Sequence, residues 1–411
     1  MRRIVVCLAF RSPMNEPWND EPPVNPKNWL HHALIGLHRL ERVPDLVFVL
    51  IILVLGTLIG ELWYLATPSI LAWVAALAHL AFAAFDWLWL ALLPRRKLSF
   101  GPVKPSLAGL IGVRTAIGLV ALAGLWLGAS ALPMLIVVPL LHLLASATVV
   151  YATRIEPFRL DVTHLELHTP KMPPGASVRL VQVSDLHVER VTRREEALVR
   201  KVNALNADYI LLTGDYLNFS YIGEPKAIAE CRRVLGQLKA KGGIYAVRGT
   251  HQVDPNAVLE TLFDGLPICW LRSERVDVGQ DDCRIVLAGA SASREPHIDI
   301  PAVERALSGA PPERFTVLLF HTPERVAEAV AGHVDLYLAG HTHGGQLRLP
   351  LYGALTTGSD TGKQYEMGRY NIDGMTLYVS RGIGMEGMAA PRARFLCPPE
   401  IVCIDVCGVR R

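Results

Sequence analysis

Seven residues of this chain have the types and spacing that hold metal ions. Asp185 and His187 form an Asp-x-His pair, Asp215 follows a glycine, His251 follows Gly249-Thr250, and His321 follows a phenylalanine. His341 and His343 form a His-x-His pair. Carboxylate oxygens are hard donors and imidazoles borderline ones, a mixture that suits divalent transition metals. Two such ions about 3.5–4 Å apart can share a carboxylate and a hydroxide and clamp the oxygens of a phosphoryl group. In an extended segment alternate residues point the same way, so each x-spaced pair presents two donors together. One isolated pair would be weak evidence, more often structural than catalytic. Five such sites in succession are not an accident.

The elements that must carry these residues are short apolar strands, expected at 178–183, 209–213, 244–247, 284–289, 316–319 and 335–339. Helices are expected at 195–205 and 228–241 between them. Five of the strands run directly into Ser184-Asp-Leu-His187, Gly214-Asp215, Gly249-Thr-His251, Phe320-His321 and Gly340-His-Thr-His343. Open α/β sheets place their ligand sites at such carboxyl ends.

The first part of the chain differs in kind. Four apolar stretches, 46–67, 70–93, 116–132 and 134–153, contain no Lys or Arg, and mean hydropathy over the 411 residues is +0.29. A bilayer core needs roughly 20 apolar residues, which the first two exceed and the last two approach. Buried helices of a soluble bundle would show polar faces. Arg39 and Arg42, then Arg95, Arg96, Lys97 and Lys104, then Arg154 and Arg159 flank the stretches on one side only. The positive-inside rule therefore places the N-terminus, the middle loop and the C-terminal domain in the cytoplasm of a multi-pass cell-membrane protein. Glu61, His79, Asp86 and His142 fall in or beside the stretches and read as interhelical hydrogen-bonding groups, or as groups placed near the interface, in preference to a transport path.

The expected organisation is a cytoplasmic arm at 1–45, a four-helix transmembrane domain at 46–153 and an α/β catalytic domain at 156–411. Net charge is only +3, which gives no footprint for nucleic acid. The seven cysteines include no Cys-x-x-Cys pair and read as reduced thiols.

Taken together, Asp185-x-His187, Gly214-Asp215, Gly249-x-His251, His321 and Gly340-His341-x-His343 resemble the calcineurin-like metallophosphoesterase superfamily over about 156–406. The runs Gly340-His-Thr-His-Gly-Gly-Gln-Leu-Arg-Leu-Pro350, Ser380-Arg-Gly-Ile-Gly384 and Cys397-Pro-Pro-Glu-Ile401 resemble its membrane-anchored branch, transmembrane proteins with a metallophosphoesterase domain. The resemblance implies a two-sheet sandwich flanked by helices, two divalent ions (manganese, iron or zinc) and a metal-bridging hydroxide that attacks a phosphoester or pyrophosphate.

By the same resemblance Asp185, His187, Asp215 and His343 hold the first metal, with Asp215 bridging. His321 and His341 hold the second, and His251 protonates the leaving oxygen or stabilises the phosphoryl charge. The family pattern at the fourth motif is Gly-Asn-His-Asp or Gly-Asn-His-Glu, whereas this chain has Thr250 and Gln252. Thr250 offers a shorter hydroxyl ligand to the second metal. Gln252 cannot orient His251 as a carboxylate would, which leaves Asp254 for that role. Arg381 reads equally as a phosphate ligand or as half of a structural salt bridge. Gly344 and Gly345 are expected to turn the backbone close to the metals. About 25 residues separate the last apolar stretch from the strand at 178, which favours a lipid-linked substrate. The competing readings are a non-catalytic membrane scaffold or sensor with a weakened second metal, and a transporter with an attached domain.

Overall fold

The computed structural model describes residue 33 and residues 36–70, 72–280 and 283–410, so most of the arm expected at 1–45, with Cys7, lies outside the described residues. Among the described residues two compact units form, a helical one reaching to 155 and including 386–393, and an α/β one over 156–385 and 394–410.

The helical unit contains α1 (Asp45–Ala66), α2 (Ala72–Leu92), α3 (Val103–Trp126) and α4 (Ala131–Val150). All four are long and apolar enough to cross a bilayer. Leu50, Leu65, Val120 and Leu144 stand exposed on their outer faces, where a soluble bundle would be polar. This is a membrane protein. The third helix departs from expectation. It begins at Val103 and not near residue 116, because Lys104, Pro105, Gly109, Gly112 and Arg114 dilute the hydropathy of a segment that is nonetheless helical. Pro105 is tolerated in the first turn, where its missing N–H would have no partner. Lys104 donates to the carbonyls of Glu41 and Val43 and pairs with Asp45 at 2.8 Å, joining the starts of α1 and α3.

Arg114 therefore lies inside the bundle, fully buried. Its Nε and Nη2 donate to the two oxygens of Asp86 on α2 at 2.5 and 2.6 Å. Nη2 also reaches Ser146 Oγ at 2.8 Å, and Nη1 reaches the carbonyl and Nδ1 of His142 at 3.1 and 3.3 Å. Every one of the five N–H donors a guanidinium carries is satisfied. The ring of Phe82 lies 5.1 Å from the guanidinium carbon. Of the ionisable residues noted in the sequence, Asp86 and His142 thus serve helix-to-helix bonding, while Glu61 faces outward near the end of α1.

The α/β unit begins with β1 (Asp161–Thr169) and β2 (Ser177–Val183), then α5 (Arg193–Ala204), β3 (Tyr209–Leu212), α6 (Pro225–Leu235), β4 (Gly243–Ala246), α7 (Asn256–Phe263) and β5 (Ile268–Trp270). There follow β6 (Glu274–Val278), β7 (Ile285–Gly289), α8 (Pro296–Leu307), β8 (Phe315–Leu319), α9 (Val326–Ala331) and β9 (Leu336–Ala339). A short hairpin of β10 (Arg348–Leu349) and β11 (Gly353–Ala354) precedes β12 (Gly368–Ile372), β13 (Met375–Val379) and β14 (Glu400–Gly408). One six-stranded sheet has the order β1-β14-β2-β3-β4-β5, the other β12-β13-β9-β8-β7-β6.

Alternation within the strands builds the sandwich. Leu180, Leu211 and Tyr245 point inward to meet Leu287, Val317 and Leu338 of the opposite sheet. Val181, Ile210 and Ile244 point outward against Leu198 of α5, Val234 of α6 and Leu259 of α7. Leu318 and Tyr337 do the same against Val303 of α8 and Ala329 of α9. The fold is the expected two-sheet sandwich flanked by helices. Its first strand, however, is β1, which starts eleven residues after Val150 and so follows the membrane helices much sooner in the sequence than the strand at 178 implied.

Candidate metal centre

Strands β2, β3, β4, β8 and β9 end on one side of the sandwich and deliver the motif residues into two groups. The donor atoms of Asp185, His187 and His343 lie within 4.8 Å of one another, and so do those of Asp215, His321 and His341. All but His341, which is half-buried, are buried. Asp215 Oδ2 lies 3.2 Å from His321 Nε2 and 3.5 Å from His187 Nε2, so this carboxylate stands between the groups. Thr250 Oγ1 is 3.4 Å from both Asp215 Oδ2 and His341 Nδ1.

Several features fit bound cations. His187 Nε2 and His343 Nε2 face each other at 3.0 Å, where two neutral imidazoles can share at most one proton. Asp185 Oδ2 is buried without a hydrogen-bond donor, a costly state for a carboxylate unless a cation fills the gap. His321 Nδ1 donates to the Thr213 carbonyl at 2.7 Å, and His341 Nε2 to the Gly358 carbonyl at 3.2 Å. Each bond fixes the ring tautomer and turns the other nitrogen's lone pair into the site. The Gly358 carbonyl also accepts from Arg294 Nη2 at 2.9 Å.

Electrostatics agree with this reading. Burial alone would lower the His321 imidazole, but the Asp215 carboxylate beside it raises it to about 10. Asp215 is itself held below the usual carboxylate range, because the His321 charge outweighs the opposing effect of burial. Burial, helped by the Arg294 charge, pushes His341 down to about 4. A cation entering beside His321 must therefore displace a proton, as metal binding to imidazole requires.

The backbone explains how so many donors converge. Asp185, His187, Asp215, His341 and His343 all have positive φ, between 41° and 68°. This left-handed region is uncommon for residues other than glycine, and such outliers collect at functional sites. The turns are held from behind. Asp254 accepts from the N–H groups of Asp215 (2.7 Å), Gly249 (2.9 Å) and Tyr216 (3.0 Å). It is thus a clamp on two motif turns.

Arg394, wholly buried, donates to the carbonyls of Gly384, Arg381 and Cys397. The turn it holds donates in turn through Gly384 N to the Asp185 carbonyl at 2.6 Å. Arg381 gives its Nε to Glu400, so the structural pairing is the alternative the geometry favours. His251 lies half-buried in the turn after Thr250. Gly344 and Gly345 have φ of +60° and +82° and make the tight turn expected after His343.

Gly340 has no space for a side chain, since a Cβ there would overlap Ser184 Oγ and Asp185 Oδ2. Gly340→Ala should push Asp185 out of place. We expect a loss of about 1–3 kcal/mol in stability from overpacking, with metal content falling in elemental analysis. Unchanged metal content and melting temperature would show that the strand end is more compliant than its packing indicates.

Residues 178–345 match the family described as calcineurin-like phosphoesterase. Its C-terminal unit is a calcineurin-like metallophosphoesterase domain. The chain is 29% identical over 260 residues to YkuE, an uncharacterized metallophosphoesterase of Bacillus subtilis (strain 168), covering 61% of this chain and 87% of that one. It is 29% identical over 267 residues to an uncharacterized metallophosphoesterase of Aquifex aeolicus (strain VF5), covering 62% and 95%. It is also 30% identical over 203 residues to a transmembrane protein with metallophosphoesterase domain from Bos taurus, covering 45% of each chain.

Proposed function

We propose that the chain is a membrane-anchored, metal-dependent phosphohydrolase that cleaves a phosphoester or pyrophosphate, with a lipid-linked substrate favoured. The observation that carries this is the position of Asp215 Oδ2 between two groups of buried N and O donors. Two divalent ions held there (manganese, iron or zinc) would supply Lewis acidity at the phosphoryl oxygens and a nucleophile drawn from water. Asp185, His187 and His343 would hold the first ion, His321, His341 and Thr250 the second, and Asp215 both. His251, next to Thr250, would give its proton to the leaving oxygen. The close tether to the membrane helices supports a lipid substrate.

The test is hydrolysis of p-nitrophenyl phosphate and its diester by the purified full chain, with manganese, iron or zinc added, followed by assay against a lipid extract. Metal-loaded protein that hydrolyses none of these would favour the scaffold reading. Thr250 gives a separate expectation. Its hydroxyl is a shorter and weaker ligand than a carboxamide oxygen, so Thr250→Asn should tighten the second metal by about tenfold or more, the scale on which ligand-shell changes act. Metal titration of activity checks this, and an unchanged midpoint would count against Thr250 as a ligand.

Orientation follows from Arg39, Arg42, Arg95, Arg96 and Lys97, which cluster on one side of the helices. Reporter fusions after residues 42, 100 and 411 should all report cytoplasm. An external signal from the 411 fusion would reverse the assignment.

A further inference from the structure

Among the described residues of the α/β unit, the large apolar side chains that stand exposed are Leu349, Leu351, Tyr352, Leu355 and Leu396. All lie on the β10–β11 hairpin or on the segment bridged to it through Leu347 and Phe395. Single exposed apolar residues are ordinary, but a cluster on an otherwise polar domain marks a contact surface. Leu351, at the tip, is completely exposed.

The hairpin is braced against the metal centre. Arg348 Nη1 donates to the Gly344 carbonyl at 2.7 Å and pairs with Glu366 at 2.9 Å. Lys363 Nζ lies 3.6 Å from the Tyr352 ring centroid and donates to the Tyr352 carbonyl at 2.5 Å. An apolar tip, a tyrosine and the two basic side chains Arg348 and Lys363, which share Glu366, match the layers of a bilayer surface, in which acyl chains lie beneath headgroups and phosphates.

The occupant follows from the chain itself. Four helices of this protein are long and apolar enough to cross a bilayer, and ten residues lie between the end of α4 and the start of β1. At about 3.3–3.6 Å per extended residue, the connection holds the domain within roughly 35 Å of the helix end. For a tethered element even weak insertion is favoured, because the local concentration of lipid surface is always high.

We propose that residues 347–355 form a membrane-contact element whose apolar tip enters the bilayer interface and so holds the metal centre at headgroup level. The proposal goes beyond the hydrolase reading, and its test needs no turnover, so either can fail without the other. A spin label on L351C would be studied in the full chain, with Cys7, Cys269, Cys283 and Cys407 replaced by serine, in nanodiscs of phosphatidylethanolamine and phosphatidylglycerol. Collision with oxygen should exceed collision with a water-soluble nickel chelate at 351. The order should reverse for a label on D373C in the exposed β12–β13 turn. Equal nickel access at both positions would overturn the proposal. Shielding of position 351 from both reagents would overturn it in favour of a protein partner or a second copy. In the unsubstituted chain, amide exchange over 349–355 should slow in nanodiscs relative to amphipol, and an unchanged rate would equally sink the idea.

Discussion

Asp215→Asn is expected to strip the centre of both metals and abolish hydrolysis. The substitution keeps the side chain's shape and can still accept the Thr250 amide, which meets Asp215 Oδ1 at 2.6 Å. What it removes is the charge and one of the oxygens set between His187 and His321. A neutral amide cannot offset two divalent ions, and its NH₂ group presents hydrogens to the site where lone pairs are needed. Metal stoichiometry by elemental analysis should fall from about two to below one. His251→Ala gives the contrasting result. It should leave the metal content intact and lower turnover about 10²–10⁴-fold, the usual contribution of a positioned acid. The loss should shrink for esters whose leaving group is acidic enough to depart unprotonated. If Asp215→Asn retains two metals and full activity, the bridging assignment is wrong.

The second large effect lies in the membrane unit. Arg114→Leu should destabilise the bundle by about 3–5 kcal/mol, the cost of removing one partner of a buried ion pair. The reason is what remains: Asp86 is fully buried and would face apolar surroundings as an unpaired carboxylate. Removing both charges with Asp86→Leu and Arg114→Leu together should be much milder, because no unpaired charge survives. Unfolding in mixed micelles, followed by circular dichroism, would measure the single and double variants. Single and double variants of equal stability would mean that the pair contributes little, and that Ser146 and His142 satisfy whatever is left.

The centre was legible in the sequence because its donors stand where apolar strands stop, and the eye needs only local spacing to find them. The parallel strands β3, β7, β8 and β9 were legible for the same reason: buried on both faces, they read as short, almost continuous apolar runs. β1 was not. Its sequence Asp-Val-Thr-His-Leu-Glu-Leu-His-Thr is polar at most alternate positions, and among the described residues it forms an edge paired with β14 alone. α6 ends at Leu235 and not near residue 241, because Gly236 follows and the chain turns toward β4. Arg394 escaped notice, and so did the clamping role of Asp254, since their partners are backbone carbonyls and amides that only the fold brings near. Arg114 was missed because one charge is enough to break a hydropathy window, while its matching carboxylate sits on another helix.

The place of β14 has a consequence for how the protein is made. It lies between β1 and β2, pairing in parallel with the first and antiparallel with the second. The segment that leaves the membrane thus joins its sheet only through a strand translated more than two hundred residues later. At about 5–20 residues per second, a ribosome needs tens of seconds to cover that distance. Throughout that interval β2, β3 and β4 can assemble with their helices, while β1 waits beside the bilayer with its ladder open. The join between anchor and catalytic domain is therefore the last part of the sheet to close. A stop codon before residue 400 should leave a nascent chain inserted in the membrane but exposed to quality-control proteases.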